Sequence, residues 1–396
     1  MLPLRDVLVV AVEQAVAAPI CTRHLGDLGA RVIKVESRAG GDFARDYDDV
    51  VGGMSAHFVW ANRNKESVAL DLKHPLGRQV LERLADRADV LVQNLAPGAA
   101  ARLGIAAATL RRRHPRLVTV DISGYGRGGP LEAARAYDLL VQSEAGSCAI
   151  TGSPESPAKP GIPLADIGAG MYALVSVLAA LLERERTGSG AAISVGMFDV
   201  VSEWMGFALN QARYGEAGPQ PNGLSSPMVA PYGGYRTADG QTLILGTTND
   251  REWQRLAVQV LRRPELAADQ RFASNAGRVA CRAELDAVIA AWAAQLTLAE
   301  CRAAAQAAGL GHARLNSPDD VLGHPQLTER SRWQQVGSPA GPVWSLLPPP
   351  EVAGWDWRLD PVPGLGEHTW PVLRELGFTA AELAAMQSEG VIGACA

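Results

Sequence analysis

Residues 7–36 constrain the fold most. Val7–Val12 is an uninterrupted apolar run, the pattern of a strand covered on both faces. Residues 19–29 follow with helical character and end on Gly29, and Arg31–Glu36 is a second strand-like run. Strand, helix and strand within about 35 residues form a right-handed βαβ unit, which commits the chain to a parallel sheet. The alternation continues. Ser67–Leu72 reads as a strand, Leu76–Arg87 as a helix, Val90–Gln93 as a strand, Ala99–Gly104 as a helical turn and Leu117–Ile122 as a strand. The expected class is α/β, an open Rossmann-like parallel sheet whose ligands sit beyond the carboxyl ends of the strands.

A second stretch, Gly161 to Gly188, runs turn, acid, glycine pair, helix. Met171–Leu182 is apolar or small almost all round, which predicts a buried helix, too short and too embedded to cross a bilayer. Glu183–Arg186 and Gly188 mark its end. Asp166 then lies at or just before the helix N-terminus, where unpaired N–H groups and the dipole hold a carboxylate ionised. Gly168 and Gly170 are expected to leave the surface around it bare to a ligand. An Asp in this place is most often only an N-cap, so the rest of the chain has to decide its role.

Ala191–Val195 reads as a strand and Phe198–Gln211 as a helix, after which the texture changes. The expected organisation is a large domain over 1–213, a Gly/Pro/Ser-rich linker over 214–231 and a smaller, mostly helical domain over 232–325. Residues 326–396 then return to the large domain, which is thus built from both chain ends. The 396 residues are 47% hydrophobic and 20% charged, with a net charge of −5. No basic block points to nucleic acid or an anionic membrane. The five cysteines are scattered without CxxC spacing and the seven histidines form no HExxH pair. Neither a metal site nor a permanently bound cofactor is expected. The N-terminus lacks a signal-peptide layout, so the cytoplasm is the expected location. Ser123–Pro130 superficially matches a dinucleotide fingerprint, but Pro130 stands where the helix should begin.

Several short segments together carry a resemblance. They are Ala17–Pro19, Leu28–Glu36, Gly41-Asp42, Asn64-Lys65, Leu70–Lys73, Asn94–Gly98, Arg102–Gly104, Tyr137-Asp138, Ala165-Asp166 and Leu365–Thr369. In this order and spacing the sequence resembles a family III CoA-transferase, the group of formyl-CoA transferase, carnitine CoA-transferase and 2-methylacyl-CoA racemase. The resemblance spans nearly the whole chain and implies a homodimer of two chains threaded through one another.

It also implies roles. Asp166 matches the family's nucleophile. Leu70 and Lys73 match a Leu-x-x-Lys element that contacts CoA. Asn94 matches an Asn-aromatic pair, with Leu95 in place of the aromatic. Arg102 with Leu103, and Arg135 with Ala136 and Tyr137, match further CoA contacts. The arginine after the second strand falls on Ser37, with Arg38 one later. Ala15 and Val16 at the end of the first strand match CoA-lining positions. Val16 also stands where the family has an acyl-site glutamine, and Gln14 is two residues earlier.

The chemistry fits these residue types. The resemblance implies coenzyme A as a substrate; its phosphates would call for Lys and Arg, and CoA exchange between two acids would call for a carboxylate that holds the acyl group covalently. N–H groups at Gly168–Gly170 are candidate oxyanion donors or acyl-pocket groups. A racemase would need a base of suitable pKa where Tyr137 stands. Local wording is most similar to the branch acting on small dicarboxylates, which implies succinyl-CoA as donor and itaconate or a relative as acceptor. An intramolecular mesaconyl-CoA C1–C4 transferase and a 2-methylacyl-CoA racemase-like epimerase stay open as alternatives. A second substrate carboxylate would need a cation, for which Arg45, Arg127 and Arg251 are candidates.

Overall fold

The computed structural model describes residues 1–393, so Cys395 lies outside it. In chain order the elements are β1 (Leu8–Val12), α1 (Ala17–Asp27), β2 (Arg31–Ser37), α2 (Ala56–Asn62), β3 (Lys65–Leu70) and α3 (Pro75–Ala85). Next come β4 (Val90–Gln93), α4 (Ala99–Arg102), α5 (Ala107–Arg113), β5 (Val118–Ser123) and α6 (Asp138–Glu144). A short hairpin of β6 (Gly152–Ser153) and β7 (Ser156–Pro157) precedes α7 (Leu164–Thr187), β8 (Ala192–Gly196), α8 (Met197–Trp204) and α9 (Gly206–Tyr214).

Six strands pair in parallel in the order β3-β2-β1-β4-β5-β8. This is the α/β architecture that the opening βαβ pattern requires. The strands are short apolar runs because both faces are covered: Val9, Val10, Val90, Leu91 and Val120 are fully buried. Strand order reverses between β1 and β4, so the crevice beyond their carboxyl ends is the topological switch point, the usual ligand position in such sheets. β3 forms one rim of the sheet. Its outer side is covered by late chain: His368 N–H donates to Ser67 O, Asp71 N–H donates to Val391 O, and Leu70 bridges Ile392.

The chain divides into two compact units. Among the described residues, the first holds 1–146, 160–206 and 331–393; the second holds 147–159 and 207–330. The stretch 1–213 is therefore interrupted, because the β6–β7 hairpin lies in the second unit. That unit has its own core around Trp253, Phe272, Leu243, Leu285 and Ile289. It is a set of helices with an antiparallel sheet of three strands, one of them Thr242–Gly246. The helix expected over 198–211 is two helices broken at Met205, next to Gly206, a residue of low helix propensity.

α7 departs from expectation in two ways. It starts at Leu164 rather than Met171 and its 24 residues are long enough to cross a membrane. It is also only partly covered along its length. Ala165, Ala169, Ala173, Val177 and Leu181 are buried, whereas Val175 and Leu182 are 61% and 60% exposed and Tyr172 stands beside them. The small residues recur at helical spacing, so they form one smooth face against α1, while the larger apolar side chains fall opposite. Gly168 and Gly170 serve this packing. A Cβ on Gly170 would lie 2.5 Å from Ala17 O, and one on Gly168 would lie 2.6 Å from the Trp204 ring. Neither glycine leaves bare surface for a ligand, which corrects the expectation from sequence.

Gly170→Ala tests this contact. Overpacking costs about 1–3 kcal/mol, and better helix propensity returns about 1 kcal/mol. The variant should have a lower thermal midpoint than wild type. A raised midpoint would show that α1 does not press on α7 there.

Candidate active site

The tip of β1 is held by two side chains. The Asn94 amide clamps Gln14 from both sides: Gln14 N–H donates to Asn94 Oδ1 at 2.9 Å, and Asn94 Nδ2 donates to Gln14 O at 2.8 Å. Ala15 takes a left-handed backbone, φ 61°, which a non-glycine residue adopts only where its surroundings enforce it. The enforcement is Asp42, whose Oδ1 accepts from Ala15 N–H and from Ala44 N–H, both at 2.9 Å.

Asp42 belongs to a buried ion cluster. Its Oδ2 accepts from Lys34 Nζ at 2.8 Å, and Glu13 Oε1 accepts from Lys65 Nζ at 2.7 Å and Lys34 Nζ at 3.4 Å. Glu36 completes it through a two-pronged pair with Arg45. Three cations and three carboxylates balance, with Lys34, Lys65, Glu13, Asp42 and Glu36 fully out of solvent. Burial alone would raise the Glu36 pKa, but the Arg45 hydrogen bonds and the Lys34 charge hold it at about 2. Burial pulls Lys65 down to about 8 against the opposing charge of Glu13. Lys34 and Lys65 reach this cluster because alternate residues on β2 and the start of β3 point to the same face of the sheet.

Asp166 is the third residue of α7, inside the first turn rather than before it. The helix has no cap of its own at Pro163. Asp138, the first residue of α6, supplies one: its Oδ1 accepts from Ala165 N–H at 2.9 Å and from Asp166 N–H at 3.4 Å. Leu164 N–H and Ile167 N–H find the carbonyls of Ile162 and Pro163. The amides of Gly168 and Gly170 lie past the first turn, where N–H groups bond back along the helix. They are not free oxyanion donors, a second correction. Burial, and then the neighbouring Asp138 charge, push the Asp166 carboxyl up to about 7. The sequence argument expected a carboxyl held ionised by the helix end; here the Asp138 carboxylate takes that favourable place.

Tyr47, which the sequence reading did not single out, lies within electrostatic reach of Asp42, Asp166 and Tyr137. Partial burial and then those charges raise its pKa. It stacks between Phe43 and His57 in an aromatic row. Tyr137 itself is 60% exposed.

The expected CoA contacts fall into two kinds. Lys73 is exposed just before α3, and Arg102 and Leu103 close α4. Arg102, Leu103 and Arg78 line one surface cavity of about 400 Å³. Arg78, absent from the expectation, donates to Lys73 O at 3.0 Å. Its signal was only its place in the first turn of a Pro-started helix. Arg38 is exposed at the end of β2, beside Gly390. Arg135 is exposed, and Ala136 rests on Gly124. The other kind is core. Leu70 is 1% exposed, Leu95 packs on the same cluster, and Val16 packs with Ile20 and Ala61. Leu70 and Val16 are buried, so their side chains serve packing, whereas Leu95 is half-buried. Of the cations considered for a second carboxylate, Arg45 is bound to Glu36 and stacked 3.7 Å from the Phe58 ring centre. Arg127 is paired with Asp121, and Arg251 lies in the second unit.

Asp42→Ala should strand Lys34 in the interior and cost roughly 3–5 kcal/mol, with part recovered by adding Lys34→Met. Denaturant unfolding measures both. A single-variant cost below about 1 kcal/mol, the level of an exposed pair, would contradict the cluster.

A parallel sheet with this crevice hosts many chemistries, so comparison with known proteins adds what geometry alone does not. The sequence profile of CoA-transferase family III matches residues 4–369. Succinate–glutarate CoA-transferase of Agrobacterium fabrum is 33% identical over 94% of this chain and 96% of its own. Succinyl-CoA–D-citramalate CoA-transferase of Chloroflexus aurantiacus is 31% identical over 98% of each. The crystal structure of a CAIB/BAIF family protein from Brucella suis superposes with a TM-score of 0.82 at 33% identity, covering 95% of this chain and 99% of that one. The chain belongs to family III of the CoA-transferases.

Proposed function

We propose that this enzyme moves CoA from succinyl-CoA to a small dicarboxylic acid through a covalent thioester on Asp166. One observation carries the reading: a carboxyl at the start of a core helix, within electrostatic reach of Tyr47, with a pKa raised to about 7. Such a group is about half ionised near pH 7 and more basic than an ordinary carboxylate, hence a better nucleophile in its ionised form.

The steps balance as two exchanges. An Asp166 carboxylate oxygen attacks the thioester carbonyl of the donor; the C–S bond breaks and CoA leaves as thiolate, giving a mixed anhydride. The thiolate attacks Asp166 Cγ, the anhydride C–O bond breaks and the donor acid departs, leaving aspartyl-CoA. The acceptor carboxylate then attacks Cγ and expels the thiolate, and the thiolate attacks the acceptor acyl carbon and frees Asp166. The α-carbon is never deprotonated, so no second base is required where Tyr137 stands.

The dicarboxylate class is supported by the names of relatives that act on glutarate and citramalate. Within it, itaconate or a close relative is the acceptor we infer. Lys73, Arg78 and Arg102 face the phosphates of CoA, and Arg38 and Arg135 extend that surface. The exposed apolar side of α7 fits burial against a second copy in an interlocked homodimer. Cys21, Cys281 and Cys301 form no disulfide, which fits a reducing cytoplasm.

Wild type with succinyl-CoA alone should gain a CoA-sized adduct that hydroxylamine removes and that maps to the Asp166 peptide. Asp166→Ala should show neither adduct nor transfer. Near-normal turnover in Asp166→Ala would exclude the mechanism. Lys73→Ala, Arg78→Ala and Arg102→Ala should each raise KM for acyl-CoA, by roughly 1–3 kcal/mol in kcat/KM where the contact is to phosphate, with KM for the free acid little changed. If all three leave acyl-CoA KM unchanged, CoA does not bind along this surface.

A further inference from the structure

The start of α7 has an unusual cap. Its carboxylate comes from another helix, 27 and 28 residues earlier in the chain, and from the first residue of that helix. Asp138 is itself held, because Gln142 Nε2 donates to its Oδ2 at 2.7 Å. The chain between Asp138 and α7 leaves the first unit after Gly146 and re-enters it at Pro160. Local backbone bonds seat Leu164 N–H and Ile167 N–H, but no nearby side chain caps this turn: Pro163 offers no side-chain bond, and Asp138 takes the amides of Ala165 and Asp166.

We propose that Asp138 is a positioning residue for transfer: it caps α7 from outside, fixes the backbone that aims Asp166, and sets a negative charge beside the nucleophile. The inference rests on the reading of Asp166 as nucleophile. Two carboxylates share one helix end. Asp138 takes the N–H groups and so the favourable potential of the dipole. Asp166 keeps burial and a like charge, both of which disfavour its ionised form. The other groups around Asp166 fit this division. Tyr47 lies within electrostatic reach of Asp166 and is raised further from its ordinary value, so it stays neutral where Asp166 titrates. Asp42, the remaining acid acting on Tyr47, is tied to Lys34. Against Gly168 and Gly170 the packed helices present Ala17, Ile20, Val200 and Trp204, none of which titrates, and the acid that α8 turns to α7, Glu203, accepts from the Tyr172 hydroxyl at 2.8 Å.

The cap and the charge are separable. Asp138→Asn keeps an oxygen acceptor for the two amides and removes the charge; Asp138→Ala removes both. With the charge gone, the acid limb of kcat/KM, which reports the free enzyme's Asp166, should move to lower pH by roughly one unit or more. KM for acyl-CoA should change little. Asp138→Ala should lose kcat further, and Asn in that place should restore part of it. A limb unmoved in Asp138→Asn, with Asp166→Ala inactive, overturns this inference alone. Transfer persisting in Asp166→Ala overturns the nucleophile reading and this inference with it.

A second readout needs no turnover. A carboxyl raised above its unfolded value contributes stability that is complete below the unfolded pKa, near 4, and is lost as pH rises through about 7. Above pH 7 the native state carries the full cost of ionising Asp166. Asp166→Asn should therefore raise the thermal midpoint at pH 8 and not at pH 4. That gain should shrink in the Asp138→Asn background. Equal gains in both backgrounds would show that the two carboxyls are not coupled and would overturn the proposal.

Discussion

The Lys34–Asp42 ion pair is the contact on which the site end of the sheet depends. Lys34 lies on β2 and would be ruinous in the core alone, since an isolated buried cation loses its hydration without return. Asp42 makes it tolerable, and in doing so turns its other oxygen toward Ala15 N–H. One carboxylate thus joins the solvation of a core lysine to the left-handed turn that ends β1. Glu13 and Lys65 extend the arrangement to β1 and β3, so three adjacent strands share a single electrostatic anchor at one end. Such a cluster adds little to net stability compared with apolar packing. Its effect here is geometric: the β1 tip has one allowed position, and α1 and α7 are stacked from there.

The α7 start follows a different economy. Helix ends normally stabilise the acid beside them, yet Asp166 is the acid left less stable. A thioester-exchanging carboxylate has to attack a carbonyl, leave it again and be attacked by thiolate in turn. A strongly stabilised carboxylate would be too weak for the first step. In the mechanism proposed above, giving the helix-end potential to Asp138 leaves the proposed nucleophile basic without removing it from the first turn.

The sequence carried the sheet well because strand burial writes itself as unbroken apolar runs: β4 falls at Val90–Gln93, where the run was read. β3 was read late, at Ser67, since Lys65 and Glu66 look like surface residues; Lys65 is instead neutralised inside the ion cluster. The α7 helix looked buried because apolar content does not reveal which side meets a partner. Gly168 and Gly170 were legible as close approach, but not whether the approaching body is a ligand or a helix. Asn94 was legible as a site residue by resemblance, whereas its clamp on Gln14 depends on two strands meeting 80 residues apart. Tyr47, Arg78 and the cross-helix role of Asp138 leave no local trace, because each arises from tertiary neighbours alone.

The covering of β3 by residues 366–392 also orders the birth of the protein. A nascent chain folds from its N-terminal side as it emerges, and all six strands of the sheet are complete by Gly196. Until residues 366–392 are translated, the β3 rim offers unpaired N–H and C=O groups to any other strand nearby. That segment therefore acts as a closing seam: a chain halted before it holds the finished sheet with a sticky border, and its arrival seals that border against self-association.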